Sequence, residues 1–355
     1  MNFGEFMAML GKGNLRHVYL LSGEEGYYIR KAKERILDLL FPEGTGREDA
    51  LQRIDGDLAM DELMGRIETA PFFADKNVLL LQDTSLFRER KTGGEEAEGR
   101  AKRAVDKKME GLLRLLSDMP EYSYVIFVSG QRADKRKKIY KAVEKFGAVL
   151  EAEAVRPWNI NDWLQGKLQS MNRELDREAY VYFASAVSVM QQISLEYLDK
   201  EFDKLALFSK ERRITKESMA EVFSGIPEVS AFAFLDAVSA RDARKALMLL
   251  GRQMKEGTYL PLLLGLIVRH VRQLWQAKEL LAKGYRGKAL AKPLELNPVI
   301  ADRLGKAAEG FPVPVLKKAM LELSDADYFL KTGQAGGEVL EHVVICLCCF
   351  DRMDV

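Results

Sequence analysis

Thr69-Ala70-Pro71-Phe72-Phe73-Ala74-Asp75-Lys76, leading through Asn77 into Val78-Leu79-Leu80-Leu81, is the stretch on which the fold turns. The run at 78–81 is apolar at every position, the pattern of a strand buried on both faces of a parallel sheet. Met60 to Thr69 ahead of it reads as a short helix. Pro71 ends that helix, because it lacks an N–H and pushes the residue before it out of the helical region. Phe72 and Phe73 are neighbours, so a strand could not turn both into one core. Two placements are open: both rings plug the bottom of the domain core, or at least one stands outward on a short, stiffened connection. An outward aromatic would suit a partner's pocket.

Working outward, further strand signals flank this one. Val18-Tyr19-Leu20-Leu21 ends at Ser22-Gly23, and Leu51 to Ile54 stops at Asp55-Gly56. Tyr124 to Ser129 and Ala148 to Glu151 complete the set. Ile29, Ala32, Ile36, Leu37 and Leu40 place a helix over Tyr28 to Leu40, and Val105, Met109, Leu112, Leu113 and Leu116 mark another. Strands alternating with helices predict an α/β layer fold. Arg88 to Arg103, dominated by charge with Gly93-Gly94 and Gly99, reads as a solvated loop or a frayed helix end.

From about residue 156 the strand signals vanish. Helices are predicted over Trp158 to Ser170, Asp176 to Val189 and Leu195 to Phe208, with Thr215 as an N-cap. This small unit ends near Gly225-Ile226-Pro227. Beyond Ser230 apolar stripes continue: Leu260, Leu263, Leu264, Ile267, Val271 and Leu274; Leu316, Met320 and Leu323; Val339, Leu340, Val343, Val344 and Leu347. They predict a bundle of about five helices.

The chain has 355 residues, 47% of them hydrophobic, and a net charge of +1, so the molecule as a whole is no electrostatic nucleic-acid binder. Its three cysteines, Cys346, Cys348 and Cys349, sit together in an apolar helical run. They give no disulfide framework, which suits a reducing cytoplasm. With His342 the one further ligand type close in sequence, they read as a buried terminal helix rather than a metal site. No signal peptide and no membrane span is expected.

Ser22-Gly23-Glu24-Glu25-Gly26-Tyr27-Tyr28-Ile29-Arg30-Lys31 occupies the place of a phosphate loop after the first strand. A working G-x-x-x-x-G-K-[ST] loop cradles phosphates with its backbone and neutralises them with its Lys. Counting from Gly23, Tyr28 stands where the second glycine belongs, and Ile29 and Arg30 where the lysine and hydroxyl belong. The layout is that of an ATPase-type domain, while the residues argue against nucleotide hydrolysis. His17, His270 and His342 are scattered and form no catalytic motif. Arg132 to Lys141 is a basic cluster holding Lys135, Arg136, Lys137 and Lys138, with Arg136 and Tyr140 expected on one helical face. It reads either as a solvated helix or as a contact for DNA phosphate or an acidic partner.

Tyr19-Leu20-Leu21-Ser22-Gly23-Glu24-Glu25, Thr69 to Lys76 and Asp134-Lys135-Arg136-Lys137-Lys138-Ile139-Tyr140-Lys141 resemble the delta-subunit family of bacterial DNA polymerase III clamp loaders. Leu205-Ala206-Leu207-Phe208 before Arg213-Ile214-Thr215, and Arg269-His270-Val271-Arg272-Gln273-Leu274, are similar to that family's middle and collar domains. The resemblance implies an AAA+-like α/β domain over 1–155 whose nucleotide site is lost, a small all-α lid over 156–226 and an all-α collar over 227–355. It implies a non-catalytic, cytoplasmic subunit of the DNA-directed DNA polymerase holoenzyme, with no cofactor and no metal. Such a subunit binds the ring-shaped sliding clamp (beta) and springs it open. It meets the gamma/tau and delta prime subunits through the collar, and primer-template DNA within the complex. The clamp-binding positions carry over to Ala70, Pro71, Phe72 and Phe73. Ala70 is smaller than the Met or Leu usual there, and the charged insert at 88–103 is longer than the family's. Lys135, Arg136, Lys137 and Lys138 are the positions for DNA or partner contact. Two other readings stand beside it: an active AAA+ ATPase with an atypical phosphate loop, and a DNA-binding helical scaffold.

Overall fold

The computed structural model describes residues 1–42, 46–88, 99–190, 193–223 and 232–350. The chain divides into two compact units, Met1–Ala154 and Val155–Val355.

The first unit is built on one parallel sheet of β1 (Val18–Gly23), β2 (Leu51–Asp55), β3 (Asn77–Gln82), β4 (Ser123–Ser129) and β5 (Ala148–Ala152). Their order across the sheet is β2-β3-β4-β1-β5. Leu20 pairs with Phe127 on one side and Val149 on the other, so β1 is an interior strand, and it is wholly buried. Helices α1 (Phe3–Gly11), α2 (Gly26–Leu40), α3 (Arg47–Ala50), α4 (Met60–Glu68), α5 (Gly99–Ser117) and α6 (Lys138–Phe146) surround it.

The two-residue period of the strands sorts the core into two layers. Tyr19, Leu21, Val78, Leu80, Ile126 and Leu150 meet Phe6 and Leu10 of α1 and Ile29, Ala32 and Ile36 of α2. Val18, Leu20, Leu79, Leu81, Val125, Phe127 and Val149 meet Leu63 and Ile67 of α4, Leu112 and Leu116 of α5, and Ile139 and Val143 of α6. Each strand read from sequence is present with its ends moved by a residue or two. Of the charged insert, residues 89–98 lie outside the described residues, and the backbone is helical from Gly99. Helix α1 is an addition to the reading: Asn2 accepts from the Glu5 amide at 2.9 Å and the Glu5 carboxylate accepts from the Asn2 amide at 3.0 Å, a capping box.

The second unit opens with α7 (Asn161–Ser170), α8 (Arg177–Val189), α9 (Leu195–Phe208) and α10 (Lys216–Phe223). Trp163, Phe183, Phe202 and Phe223 interlock at its centre, with ring centroids 5.6 to 6.5 Å apart. The expectation that strands end at residue 156 needs correcting. Glu174–Leu175 (β6) and Arg213–Ile214 (β7) form a two-residue parallel pair. Pairs this short have no period for a sequence to reveal, and this one is fastened by Arg212 on Glu174 at 2.9 Å. The predicted end near Gly225-Ile226-Pro227 lies outside the described residues.

The unit continues through α11 (Phe232–Ser239), α12 (Ala243–Lys255), α13 (Leu260–Ala282), the short α14 (Ala291–Leu294), α15 (Pro298–Glu309), α16 (Val313–Thr332) and α17 (Glu338–Cys349). The predicted stripes of α13, α16 and α17 converge in one aliphatic core with Leu250, Leu304 and Phe311. Pro261 and Pro298 sit in the first turns of α13 and α15, where a missing N–H costs nothing. Among the described residues no helix is long and apolar enough to cross a membrane.

Candidate functional site

All five strands run the same way, so the sheet has two distinct ends. The connection from α4 to β3 lies at the strands' N-terminal end. The turn from β1 into α2 lies at the C-terminal end, where open parallel sheets ordinarily bind ligands.

At the N-terminal end, Phe72 is 90% exposed and Phe73 86% exposed. The reading in which both rings plug the core is therefore excluded. The two rings meet edge to face with centroids 4.8 Å apart, an arrangement favoured by the ring quadrupoles. Ala70 is exposed beside them and Pro71 half-buried. Below this tip the chain is tightly held. Asn77 is buried, and its Nδ2 donates to the carbonyls of Arg66 at 2.6 Å and Thr69 at 3.1 Å, while its Oδ1 accepts from Gln52 Nε2 at 3.1 Å. Lys76 Nζ donates to the Leu40 carbonyl at 2.7 Å, and Tyr122 Oη to the Glu68 carbonyl at 2.8 Å. Two apolar rings are thus held in water on a base fixed from several elements. Burying a Phe is worth roughly 1.5–3 kcal/mol, a gain that this fold does not take at either ring.

The C-terminal end is closed by its own residues. The amides of Glu24 and Glu25, which a phosphate loop would aim at an anion, donate instead to the Ala152 carbonyl of β5 at 2.8 and 3.0 Å. The Glu25 carboxylate accepts from the Tyr27 amide at 3.2 Å, placing a negative charge on the α2 N-terminus. Gly23 has φ +141°, and a Cβ there would lie 2.1 Å from the Ala152 oxygen, so only glycine fits this approach. Ile29, at the lysine position of a phosphate loop, is buried in the core. Tyr28 stacks on Phe3 at 4.2 Å. The remaining cavity here, between Ser22, Gly23, Arg132, Lys135, Tyr140 and Glu151, is about 110 Å³, against roughly 300–1,000 Å³ for ordinary small-molecule sites.

The basic cluster is folded into the same corner. Arg132 pairs with Glu24 at 3.0 Å and Lys135 with Glu151 at 2.6 Å. Arg136 pairs with Asp134 at 2.8 Å, and that guanidinium holds the Asp134 carboxyl down at about 2. Lys137 Nζ donates to the carbonyls of Ser85 and Leu86. Lys138 opens α6 and is exposed. Arg136 and Tyr140 do not share a helical face as expected, because α6 begins only at Lys138. Asp134 Oδ1 accepts from the Arg136 amide at 3.0 Å, which keeps this segment in a turn until Lys138. Tyr140 is buried and donates to Glu151 at 2.6 Å. Burial opposes ionisation of Glu151, but the bonds from Lys135 and Tyr140 outweigh it and hold its carboxyl below the usual range.

Sequence reading missed Asn77 and Glu25. An acidic residue directly ahead of a helix start is a signal for Glu25. Asn77 carried none, since its partners come from distant segments.

The family model for the DNA polymerase III delta subunit matches residues 19–153, and the model for the C-terminal domain of that subunit matches residues 228–347. The chain belongs to the DNA polymerase III delta-subunit family. A curated relative, DNA polymerase III subunit delta of Bacillus subtilis (strain 168), is 22% identical over 334 residues, covering 93% of this chain and 92% of its own length. The solved structure of the Bacillus subtilis DNA clamp loader delta protein matches with a TM-score of 0.64 at 20% identity, over 98% of this chain and 99% of that one. That likeness carries the fold over nearly the whole chain.

Proposed function

We infer that this chain is a clamp-loader delta subunit that binds a ring-shaped sliding clamp and opens it for loading onto primed DNA. Family membership supports the clamp-loader role. The observation that carries the site is the exposure of Phe72 and Phe73 on a loop whose base is fixed. Phe72 and Phe73 are the main anchors, Pro71 sets their presentation, and Ala70 is a small third contact. Two buried aromatic anchors contribute roughly 2–4 kcal/mol each. A ligand that prefers the opened ring shifts it by that difference in affinity and no more.

In this reading the subunit performs no nucleotide chemistry. The self-capped α2 and the buried Ile29 support that, as does the small cavity at the corner. We also propose the division of the second unit into a lid (156–226) and a collar (227–355). Its separate aromatic and aliphatic cores support this division. The collar would meet the gamma/tau and delta prime subunits, and Leu321 and Tyr328, exposed on α16, offer apolar surface for it. Work on replicating DNA places such a subunit in the cytoplasm. Lys135 and Arg136 are paired with acids and Lys137 bonds to backbone carbonyls, so exposed Lys138 is the position of the four that we propose for DNA contact.

The test is a pull-down of a sliding clamp by wild type and by Phe72→Ala/Phe73→Ala. Wild type retains the clamp. The variant loses it by a thousandfold or more in affinity, about 4 kcal/mol, with its melting temperature within a few degrees. Retention by the variant, or its unfolding, overturns the assignment.

A further inference from the structure

The three cysteines of the terminal helix take unequal positions once folded. Cys346 and Cys348 are both buried and Cys349 partly so; Cys348 packs against the aliphatic core, and Cys346 lies on the edge of α17 that faces α16. His342, one helical turn earlier, brings Nε2 to 3.6 Å from Cys346 Sγ. From α16, Glu322 brings Oε1 to 4.0 Å from the same Nε2. One donor atom from each residue falls within 4.8 Å of the others. Glu322 Oε2 is buried and has no hydrogen-bond partner among the described residues. An open cavity of about 370 Å³, also lined by Asp325 and Glu338, adjoins the cluster.

We propose that Glu322, His342 and Cys346 form a binding site for a divalent transition-metal ion of the zinc class. A tetrahedral ion bonded at about 2.3 Å to sulfur and about 2.1 Å to nitrogen holds those donors about 3.6 Å apart, and the Cys346–His342 pair already stands at 3.6 Å. The nitrogen and oxygen donors of such an ion lie about 3.4 Å apart, so Glu322 has only to turn its carboxylate inward. Thiolate and imidazole select zinc, cobalt or copper over magnesium and calcium. The fourth position faces the adjoining cavity and takes water or a carboxylate from Asp325 or Glu338. On binding, the Cys346 S–H bond breaks, the sulfur pair passes to the ion, and the proton leaves to solvent. The ion would pin the last helix to α16, contributing to the stability of the C-terminal bundle.

The full-length chain, kept reduced and freed of metal with a chelator, is titrated with Co²⁺ and separately with Zn²⁺. The expected result is one ion per chain, with a thiolate-to-cobalt charge-transfer band for Co²⁺ and a raised melting temperature for Zn²⁺. Cys346→Ser abolishes the band. His342→Ala, a change at a side chain 65% exposed, weakens binding at least tenfold without unfolding the chain. Cys349→Ser leaves both readouts unchanged. Absence of the band in wild type overturns the proposal, and so does a band that survives Cys346→Ser or one that Cys349→Ser removes.

Discussion

The two ends of one sheet follow opposite rules. At the C-terminal end the groups around the phosphate-loop position are engaged within the fold: two amides on Ala152, a carboxylate on the α2 N-terminus, and Arg132, Lys135 and Arg136 on neighbouring acids. At the N-terminal end two benzyl side chains stand almost fully in water on a tied base. On the proposed function, the difference is that of an architecture kept as a rigid frame with its binding surface at the opposite edge. Polar groups that have lost a ligand must find partners inside the molecule, because leaving them buried and unpaired costs about 1–3 kcal/mol each. Apolar groups awaiting a partner can stay exposed at little cost to the fold.

The sharpest way to break this contrast inside the fold is at the base of the tip. Asn77→Ala strands the Thr69 carbonyl and Gln52, and is expected to cost about 2–4 kcal/mol of stability, read from the denaturant midpoint. Clamp affinity should fall with it, because the rings lose their fixed footing. An unchanged midpoint would mean the loop is held elsewhere. A smaller effect sharpens the tip itself. Ala70→Leu adds apolar surface beside the rings and should tighten clamp binding about tenfold, near 1.4 kcal/mol, by calorimetry, with no change in melting temperature. The smallest concerns the opposite corner. Glu151 has its folded carboxyl held below its ordinary range, so its contribution is present at neutral pH and is lost as pH falls through the carboxylate range. Glu151→Gln should therefore cost at most about 1 kcal/mol near pH 7, and the gap from wild type should close under acid. Clamp binding through the uncharged rings should not share that dependence.

Much of this was legible in the chain itself. Continuous apolar runs disclosed β1, β3 and β4, because strands of a parallel sheet buried on both faces leave few polar positions to blur them, whereas half-exposed β2 was marked by Leu51 and Ile54 ahead of Asp55-Gly56. The departure of this segment from the phosphate-loop motif was readable by counting from Gly23. The exposure of Phe72 and Phe73 was not settled by pattern: a pair of aromatics after a proline suits a core plug as well as an anchor, and only the course of the loop decides. Arg136 and Tyr140 do not share a helical face because Asp134 captures Arg136 in a turn ahead of the helix, which a spacing argument ignores. Glu322 escaped notice beside His342 and Cys346 because it lies on the preceding helix, and only the packing of α17 against α16 brings the three together.

The most direct test measures clamp affinity for wild type and for Phe72→Ala/Phe73→Ala, each with and without Mg-ATP. The account predicts that wild type binds equally well in both conditions and that the double variant fails in both while remaining folded. A wild-type affinity that rises or falls with ATP would contradict it, as would a double variant that still holds the ring.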